Sequence, residues 1–444
     1  MGAFVDELPV YFSKFGRCML SGAYLMVESK NTCSYLVERT ARMTYRLEDY
    51  TQFGGHIEMG TVRNALAYQG VTMPHSGDAP TQALLFGISG GVVAGYFAFE
   101  YAPAPPYLHF LTRNTFDPLS KMMDRLGIVV DAKQTDKPDK AVENLVAALS
   151  EGQPALVLAS YPLLPYNLTE ATGDNHYAYP VVVYAYDPET GTVLLSDRAQ
   201  VPLGIMADEL AQARAYPKKN KHRLLTVSLP NMDKLAEAVT AGIQETINSF
   251  VGEPPRKPMK GKYGLSAYDK WIEMLNAKSK EGWAKKFAPG ERMLSGLMSS
   301  YYYANVWITA GPNASRGEYA DFLDEAAVIL EKPGLKNAAS QWREAERQWV
   351  GLNDALLPMR IPPFDRVRQL IDMDQQLFLE KGCDADEERV VLKAELAALK
   401  QDIKDDFPLG DAGVAVMIEA ISESVQAVRA AEAEAIRLMQ TAMA

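Results

Sequence analysis

The chain has 444 residues, of which 48% are hydrophobic and 23% charged, and its formal net charge is −11. This length predicts two domains, and the composition is typical of a folded globular protein rather than a disordered or membrane-spanning one. The acidic balance disfavours binding to nucleic acid or to anionic membranes.

The first 50 residues are interpreted as an N-terminal extension that packs on the core, because their apolar stretches are too marked for a solvated tail and the segment is too short for a domain. They contain no basic region followed by a continuous apolar segment, and no part of the chain reaches the length of a membrane span. Three scattered cysteines, Cys18, Cys33 and Cys383, predict neither a disulfide framework nor a thiolate zinc site. We expect a cytoplasmic protein without a bound metal.

The next region, residues 51–230, is rich in strand and turn signals. Two β-rich runs begin at Tyr179 and Thr192, and the turn-forming sequence Asp187–Gly191 joins them. This pattern predicts a β-hairpin. Upstream, glycines between Gly87 and Gly95 lack the Lys-Ser/Thr of a phosphate-binding loop. They predict a tight turn into a buried strand.

Helical periodicity dominates residues 231–444. Asn231 is placed to cap a helix that runs to about Phe250, and a basic, proline-rich loop over residues 252–262 follows it. Apolar residues then recur at helical spacing as far as Met439. The sequence therefore predicts an α+β chain with an all-helical C-terminal domain.

Four segments, in chain order, carry a resemblance to a known family. They are Gly54-Gly-His-Ile-Glu-Met-Gly-Thr61, Phe86-Gly-Ile-Ser-Gly-Gly91, the pair Asn175-His-Tyr-Ala-Tyr179 and Leu195-Ser-Asp-Arg198, and Arg316-Gly-Glu-Tyr-Ala-Asp-Phe-Leu323. This order is similar to that of the butirosin biosynthesis protein H acyltransferases. The resemblance implies a papain-like domain over residues 51–230, followed by the helical domain.

The resemblance also implies a site. Ile57 stands where the family carries its nucleophilic cysteine, and an isoleucine excludes a covalent acyl-enzyme at that position. The remaining catalytic residues implied are His176 as base, Asp197 as its orienting partner, Gln52 as an oxyanion donor, and His56. Ile57, Glu58, Tyr96 and Arg113 are the implied substrate-contacting residues.

Simpler interpretations stand beside these roles. His176 is equally read as a hairpin histidine bonded to backbone, His56 as a helix cap, and Glu58 as a complement to the helix dipole. Cys18 or Cys33 could fold back as a displaced nucleophile, although most such cysteines are core residues.

Two functions remain open on the sequence. In the first, an amine acceptor attacks an acyl thioester directly while His176 removes the proton, so that phosphopantetheine on a carrier protein or coenzyme A enters as substrate rather than cofactor. In the second, the chain is a catalytically inactive binding or scaffold protein. Two basic clusters, at 218–223 and 256–262, are either two solvated loops or a docking patch for an acidic acyl carrier protein or for a phosphopantetheine or coenzyme A moiety. A homodimer is also left open.

Overall fold

The computed structural model describes residues 43–169, 177–306 and 311–444. The strands are β1 (Tyr45–Arg46), β2 (Val92–Phe99), β3 (Tyr107–Arg113), β4 (Val130–Lys133), β5 (Ala155–Ser160), β6 (Ala178–Asp187), β7 (Thr192–Ser196), β8 (Leu203–Met206) and β9 (Leu224–Val227). The helices are α1 (Met59–Tyr68), α2 (Gln82–Ile88), α3 (Pro118–Arg125), α4 (Pro138–Ser150), α5 (Ala207–Arg214), α6 (Leu235–Val251), α7 (Leu265–Asn276), α8 (Trp283–Lys286), α9 (Glu291–Asn305), α10 (Arg316–Ile329), α11 (Leu335–Leu356), α12 (Pro362–Lys381), α13 (Asp386–Asp405) and α14 (Asp411–Met443). The predicted α+β class is confirmed.

The chain forms two compact units, and each is assembled from three separate segments. The sheet unit contains the described residues up to Gln82, together with Leu126–Met232 and Met373–Ala394. The helical unit contains Ala83–Arg125, Asp233–Asp372 and Glu395–Ala444.

The sheet unit is built on an antiparallel sheet. Its strands follow the order β4-β9-β5-β6-β7-β8, and β1 pairs with β6. The predicted hairpin is present as β6 and β7, and its turn is fixed by Asp187, whose carboxylate accepts a hydrogen bond from the Thr190 hydroxyl at 2.7 Å. Every residue of β7 is buried, so this hairpin forms part of the core of the unit.

The helical unit contains a second, two-stranded antiparallel sheet made of β2 and β3. Gly90 and Gly91 have positive φ values of 105° and 52° and form the predicted tight turn before β2. The hairpin packs against aromatic side chains of the helices, since the Phe110 ring lies 4.8 Å from Trp271 and 5.7 Å from Trp349.

This organisation differs from the expected continuous domains, 51–230 and 231–444, in two places. Residues 83–125 belong to the helical unit because the β2–β3 hairpin buries its apolar side chains against helices of that unit. Residues 373–394 belong to the sheet unit, where Leu379 O accepts a hydrogen bond from Gln200 N at 2.7 Å. Long-range packing, which no local pattern encodes, decides both assignments.

Only the last part of the expected N-terminal extension falls within the described residues. There, β1 pairs with β6, and the Tyr50 ring stacks on Tyr184 at 4.6 Å. The described helices include none that is long and apolar enough to cross a bilayer. Cys383 is buried and disulfide-bonded, although the spacing of the cysteines predicted no disulfide framework.

Candidate active site

The N-terminus of α1 is closed by the imidazole of His56. The ring Nδ1 accepts hydrogen bonds from the backbone N–H groups of Glu58 and Met59, both at 3.2 Å. The backbone carbonyl of His56 accepts a hydrogen bond from Gly60 N at 2.9 Å. An Nδ1 that accepts carries no proton. Amides of the kind expected to stabilise an oxyanion are therefore already bonded within the protein.

Gln82 holds this loop from the other side. Its Oε1 accepts a hydrogen bond from His56 N at 2.6 Å. Gly55 must be glycine here, because its φ is 105° and a Cβ would lie 2.3 Å from the same oxygen. Sequence reasoning missed Gln82, since no local signal links a residue 26 positions downstream to the start of α1.

Ile57 points into the interior and is only 3% exposed. Its carbonyl accepts a hydrogen bond from Thr61 Oγ1 at 3.0 Å, and the same hydroxyl lies 3.2 Å from Pro180 O on β6. Glu58 is partly buried and occupies the N-cap position of α1, without a side-chain capping bond. The cavities described in the sheet unit have no Ile57 in their walls.

Asp197 lies directly after β7, and its side chain is fully buried in an ion pair. Its carboxylate accepts a hydrogen bond from Tyr179 Oη at 2.7 Å and lies 3.3 Å from a terminal nitrogen of Arg198. Burial raises the pKa of Tyr179 well above its usual value, and the Asp197 charge raises it further. The tyrosine is thus a donor to this carboxylate.

Arg198 is enclosed on all sides. Its guanidinium donates to Asn167 Oδ1 and lies 4.5 Å from the Phe378 ring and 5.3 Å from the Tyr161 ring. Burial alone would lower the pKa of Arg198, but Asp197 and the surrounding tyrosines raise it well above its usual value. Sequence reasoning did not single out Arg198, because an arginine beside an aspartate usually indicates a solvated pair.

The start of α1 and the end of β7 lie side by side. Gly55 N donates to Arg198 O at 2.7 Å, and Asn64 Nδ2 on α1 donates to Ser196 Oγ at 2.9 Å. The structure thereby brings His56, Ile57 and Asp197 into one region of the sheet unit. His176 lies outside the described residues.

Three further predicted site residues, Gln52, Tyr96 and Arg113, fall within the described parts of the chain. Gln52 Oε1 is buried without a hydrogen-bond partner among the described atoms. Tyr96 and Arg113 belong to the helical unit. There Tyr96 is buried and accepts a hydrogen bond from Trp283 Nε1 at 3.1 Å, and Arg113 donates to the carbonyl of Asn114 at 3.3 Å.

In chemical terms, the described residues of this region hold their polar groups in contacts within the protein. The side chain at the helix start has no lone pair, two amides are bonded to His56, and Arg198 neutralises the Asp197 charge. Among the residues that the structure describes, no group of three or more metal-ligating side chains is present.

Comparison with family models matches residues 56–198 to butirosin biosynthesis protein H, N-terminal. The matched segment begins at His56 and ends at Arg198, so its two ends lie at the start of α1 and just after β7. No curated protein matches the chain.

Proposed function

We propose that this chain, which carries a domain of the butirosin biosynthesis protein H-like family over residues 56–198, is an acyltransferase-like pseudoenzyme of specialised metabolism that binds its ligands without turning them over. The family indicates a biosynthetic, acyltransferase-like role. The start of α1 decides whether this role includes catalysis.

One observation supports the inactive form above the others. Ile57 is 3% exposed, at a helix start whose Glu58 and Met59 amides are bonded to His56. An acyl-enzyme needs a nucleophile at this position, and a tetrahedral intermediate needs free donors beside it. A buried apolar side chain that fills the slot is what an unused site would contain.

A direct test measures thiol release from acyl-coenzyme A and acyl carrier protein in the presence of a panel of amines. We expect the wild-type protein to release no thiol above the uncatalysed rate, while the thioesters still bind in calorimetric titrations. Turnover by the wild type would refute the pseudoenzyme.

Ile57→Cys restores a thiol at the helix start, where the dipole favours the thiolate. We expect it to gain labelling by a thiol reagent. Val62→Cys is the matched control, because Val62 is also buried on α1 but lies beyond the helix start. Equal labelling of the two variants would show that the helix start no longer activates a thiol.

Direct aminolysis is the second candidate, since the end of β7, which carries Asp197, lies beside the start of α1. The amine nitrogen attacks the thioester carbonyl, His176 takes its proton, the C–S bond breaks, and the proton passes to the leaving thiolate. If this route operates, His176→Ala lowers the rate by about 10²–10⁴-fold. His75→Ala is the matched control, and an unchanged His176→Ala rate excludes the route.

We also propose that an acyl carrier protein docks through the first basic cluster. Lys218, Lys219 and Lys221 are exposed, and their charge complements the acidic surface such a partner would carry. Reversing all three charges to glutamate is expected to weaken carrier binding and to remove its salt dependence. Retention of both properties would exclude this surface.

A further inference from the structure

A buried cysteine lies between α12 and α13 in the sheet unit. Cys383 belongs to the short 3₁₀ turn Gly382–Ala385, is 6% exposed and is disulfide-bonded. The sequence offers two further cysteines, Cys18 and Cys33, and both precede the described residues. A disulfide within the chain therefore joins this turn to the N-terminal extension.

The turn that carries Cys383 packs against the last strand in the order of the sheet. A Cβ at Gly382, whose φ is 56°, would lie 2.8 Å from Leu203 Cδ2 and 2.9 Å from Val201 Cγ2. Leu203 begins β8, which pairs with β7 at the end of the described strand order. The turn thus packs beside an edge strand, and proteins commonly protect such edges by covering them.

The end of α12, immediately before this turn, also reaches the candidate site. Leu379 O accepts a hydrogen bond from Gln200 N at 2.7 Å, and the Phe378 ring lies 4.5 Å from the Arg198 guanidinium. Cys383 follows these two contacts within five residues. A change in how firmly the turn is held is therefore expected to alter how firmly Phe378 covers Arg198.

The two ends of this disulfide are far apart in sequence, because Cys383 lies about 350 residues after Cys33 and further still after Cys18. A crosslink restricts the unfolded chain, and in the chain-entropy description its effect grows with the length of the closed loop. Oxidation therefore stabilises the folded sheet unit, and reduction removes this constraint while every noncovalent contact can still form.

We propose that Cys383 and one N-terminal cysteine form a redox-sensitive staple that holds the end of α12 against β8. Two glutathione thiols reduce the S–S bond to two cysteine thiols and become glutathione disulfide, so electrons and protons balance; the reverse reaction closes the staple. Under the reducing conditions that the sequence predicts, disulfides are usually transient and regulatory. A cysteine held in this bond cannot act as a displaced nucleophile. The inference does not rest on the proposed function.

Peptide mapping of the full chain without reductant tests the bond itself. Free thiols are blocked with N-ethylmaleimide in urea, and mass spectrometry then identifies the peptides that remain joined through Cys383. We expect a single joined pair, with Cys18 or Cys33, in the monomer. Complete blocking of Cys383, or a disulfide between two chains, would overturn the proposal.

Equilibration in glutathione buffers distinguishes a switch from a permanent bond, because structural disulfides resist reduction by glutathione. We expect the staple to open in excess reduced glutathione without denaturant. Hydrogen exchange of amides in β8 and at the end of α12 should then become about tenfold faster or more, as for the loss of a disulfide of ordinary strength. A bond that stays closed in this buffer contradicts the switch.

Variants of the cysteines supply the controls. Cys383→Ala keeps a small apolar group in the buried turn and should exchange at the reduced rate in both buffers. Serine in place of the bonded N-terminal cysteine should give the same result without altering the turn. Serine in place of the other N-terminal cysteine is the matched control and should respond as the wild type does. If the wild type and Cys383→Ala respond equally to glutathione, the staple does not exist.

Discussion

Both compact units bury an arginine beside a carboxylate, but they surround the pair differently. In the helical unit, Arg316 and Glu432 are wholly buried, with 2.7 Å between Nε and Oε1. The same guanidinium donates to backbone carbonyls of Thr112, Ala314 and Val93 at 2.6–3.0 Å. One side chain thus binds segments that are far apart in sequence.

In the sheet unit, the pair Arg198–Asp197 lies between aromatic rings at the edge of the candidate site. Its additional partners are side chains, Tyr179 Oη on the carboxylate and Asn167 Oδ1 on the guanidinium. The helical pair therefore satisfies backbone groups and stabilises the fold. The sheet pair instead neutralises a carboxylate that a working site would present to its base.

The first way to test this contrast is Arg316→Met, which leaves Glu432 unpaired and three carbonyls without their donor. We expect a loss of about 3–5 kcal/mol in the free energy of unfolding. Tryptophan fluorescence during urea unfolding reports the helical unit selectively, because all five tryptophans fall within Asp233–Asp372. Arg343→Met, which breaks exposed pairs with Asp321 and Asp324, is the control and should cost about 1 kcal/mol or less.

Asp197→Asn applies the same test to the sheet unit. It leaves the Arg198 guanidinium buried without its counter-charge, and arginine cannot lose its proton to compensate. We expect a cost of about 3 kcal/mol, seen as faster hydrogen exchange of amides in β6 and β7. Unchanged exchange would mean that Arg198 does not depend on Asp197.

The pH response of the helical unit depends on His109 on β3. Burial first, and then Arg113, lower the pKa of His109 to about 3. Below pH 6.5 His109 is protonated in the unfolded chain but stays neutral in the folded chain. The free energy of unfolding therefore falls as the pH drops toward 3. Between pH 7 and pH 5 we expect a loss of about 2 kcal/mol by tryptophan fluorescence, and His109→Phe should reduce this loss. Equal losses in wild type and variant would contradict it.

The smallest expected effect concerns His56 in the sheet unit. His56→Ala removes the acceptor for two amides at the start of α1, so we expect a cost of about 1 kcal/mol. His56→Asn keeps a side-chain acceptor and should cost only a few tenths of this. If both variants instead abolish a measured activity without changing stability, His56 is catalytic rather than a cap.

Local patterns predicted much of this molecule. Two β-rich runs and the turn at Asp187–Gly191 predicted the β6–β7 hairpin, and helical spacing predicted the helices after residue 230. The segment Arg316-x-x-Tyr-x-x-Phe-Leu323, which carried part of the resemblance, has a physical role, since Arg316, Tyr319, Phe322 and Leu323 are all fully buried.

Other features could not be predicted because they depend on distant residues. Nothing near His56 indicates that Gln82 bonds to it, and nothing near Arg198 indicates that Phe378 covers it, 180 positions later. The position of the β2–β3 hairpin in the helical unit likewise depends on aromatic residues from Tyr268 to Trp349.

The interleaved segments also affect how the chain folds during synthesis. The sheet unit needs residues 373–394, because Phe378 packs on Arg198 and Arg389 donates to Tyr166 O at 2.8 Å. Domains normally fold as they leave the ribosome, N-terminal part first. Here the sheet unit is complete only once residues 373–394 have been synthesised. We therefore expect that a nascent chain that ends near residue 230 exposes Arg198 and its aromatic neighbours to chaperones and proteases.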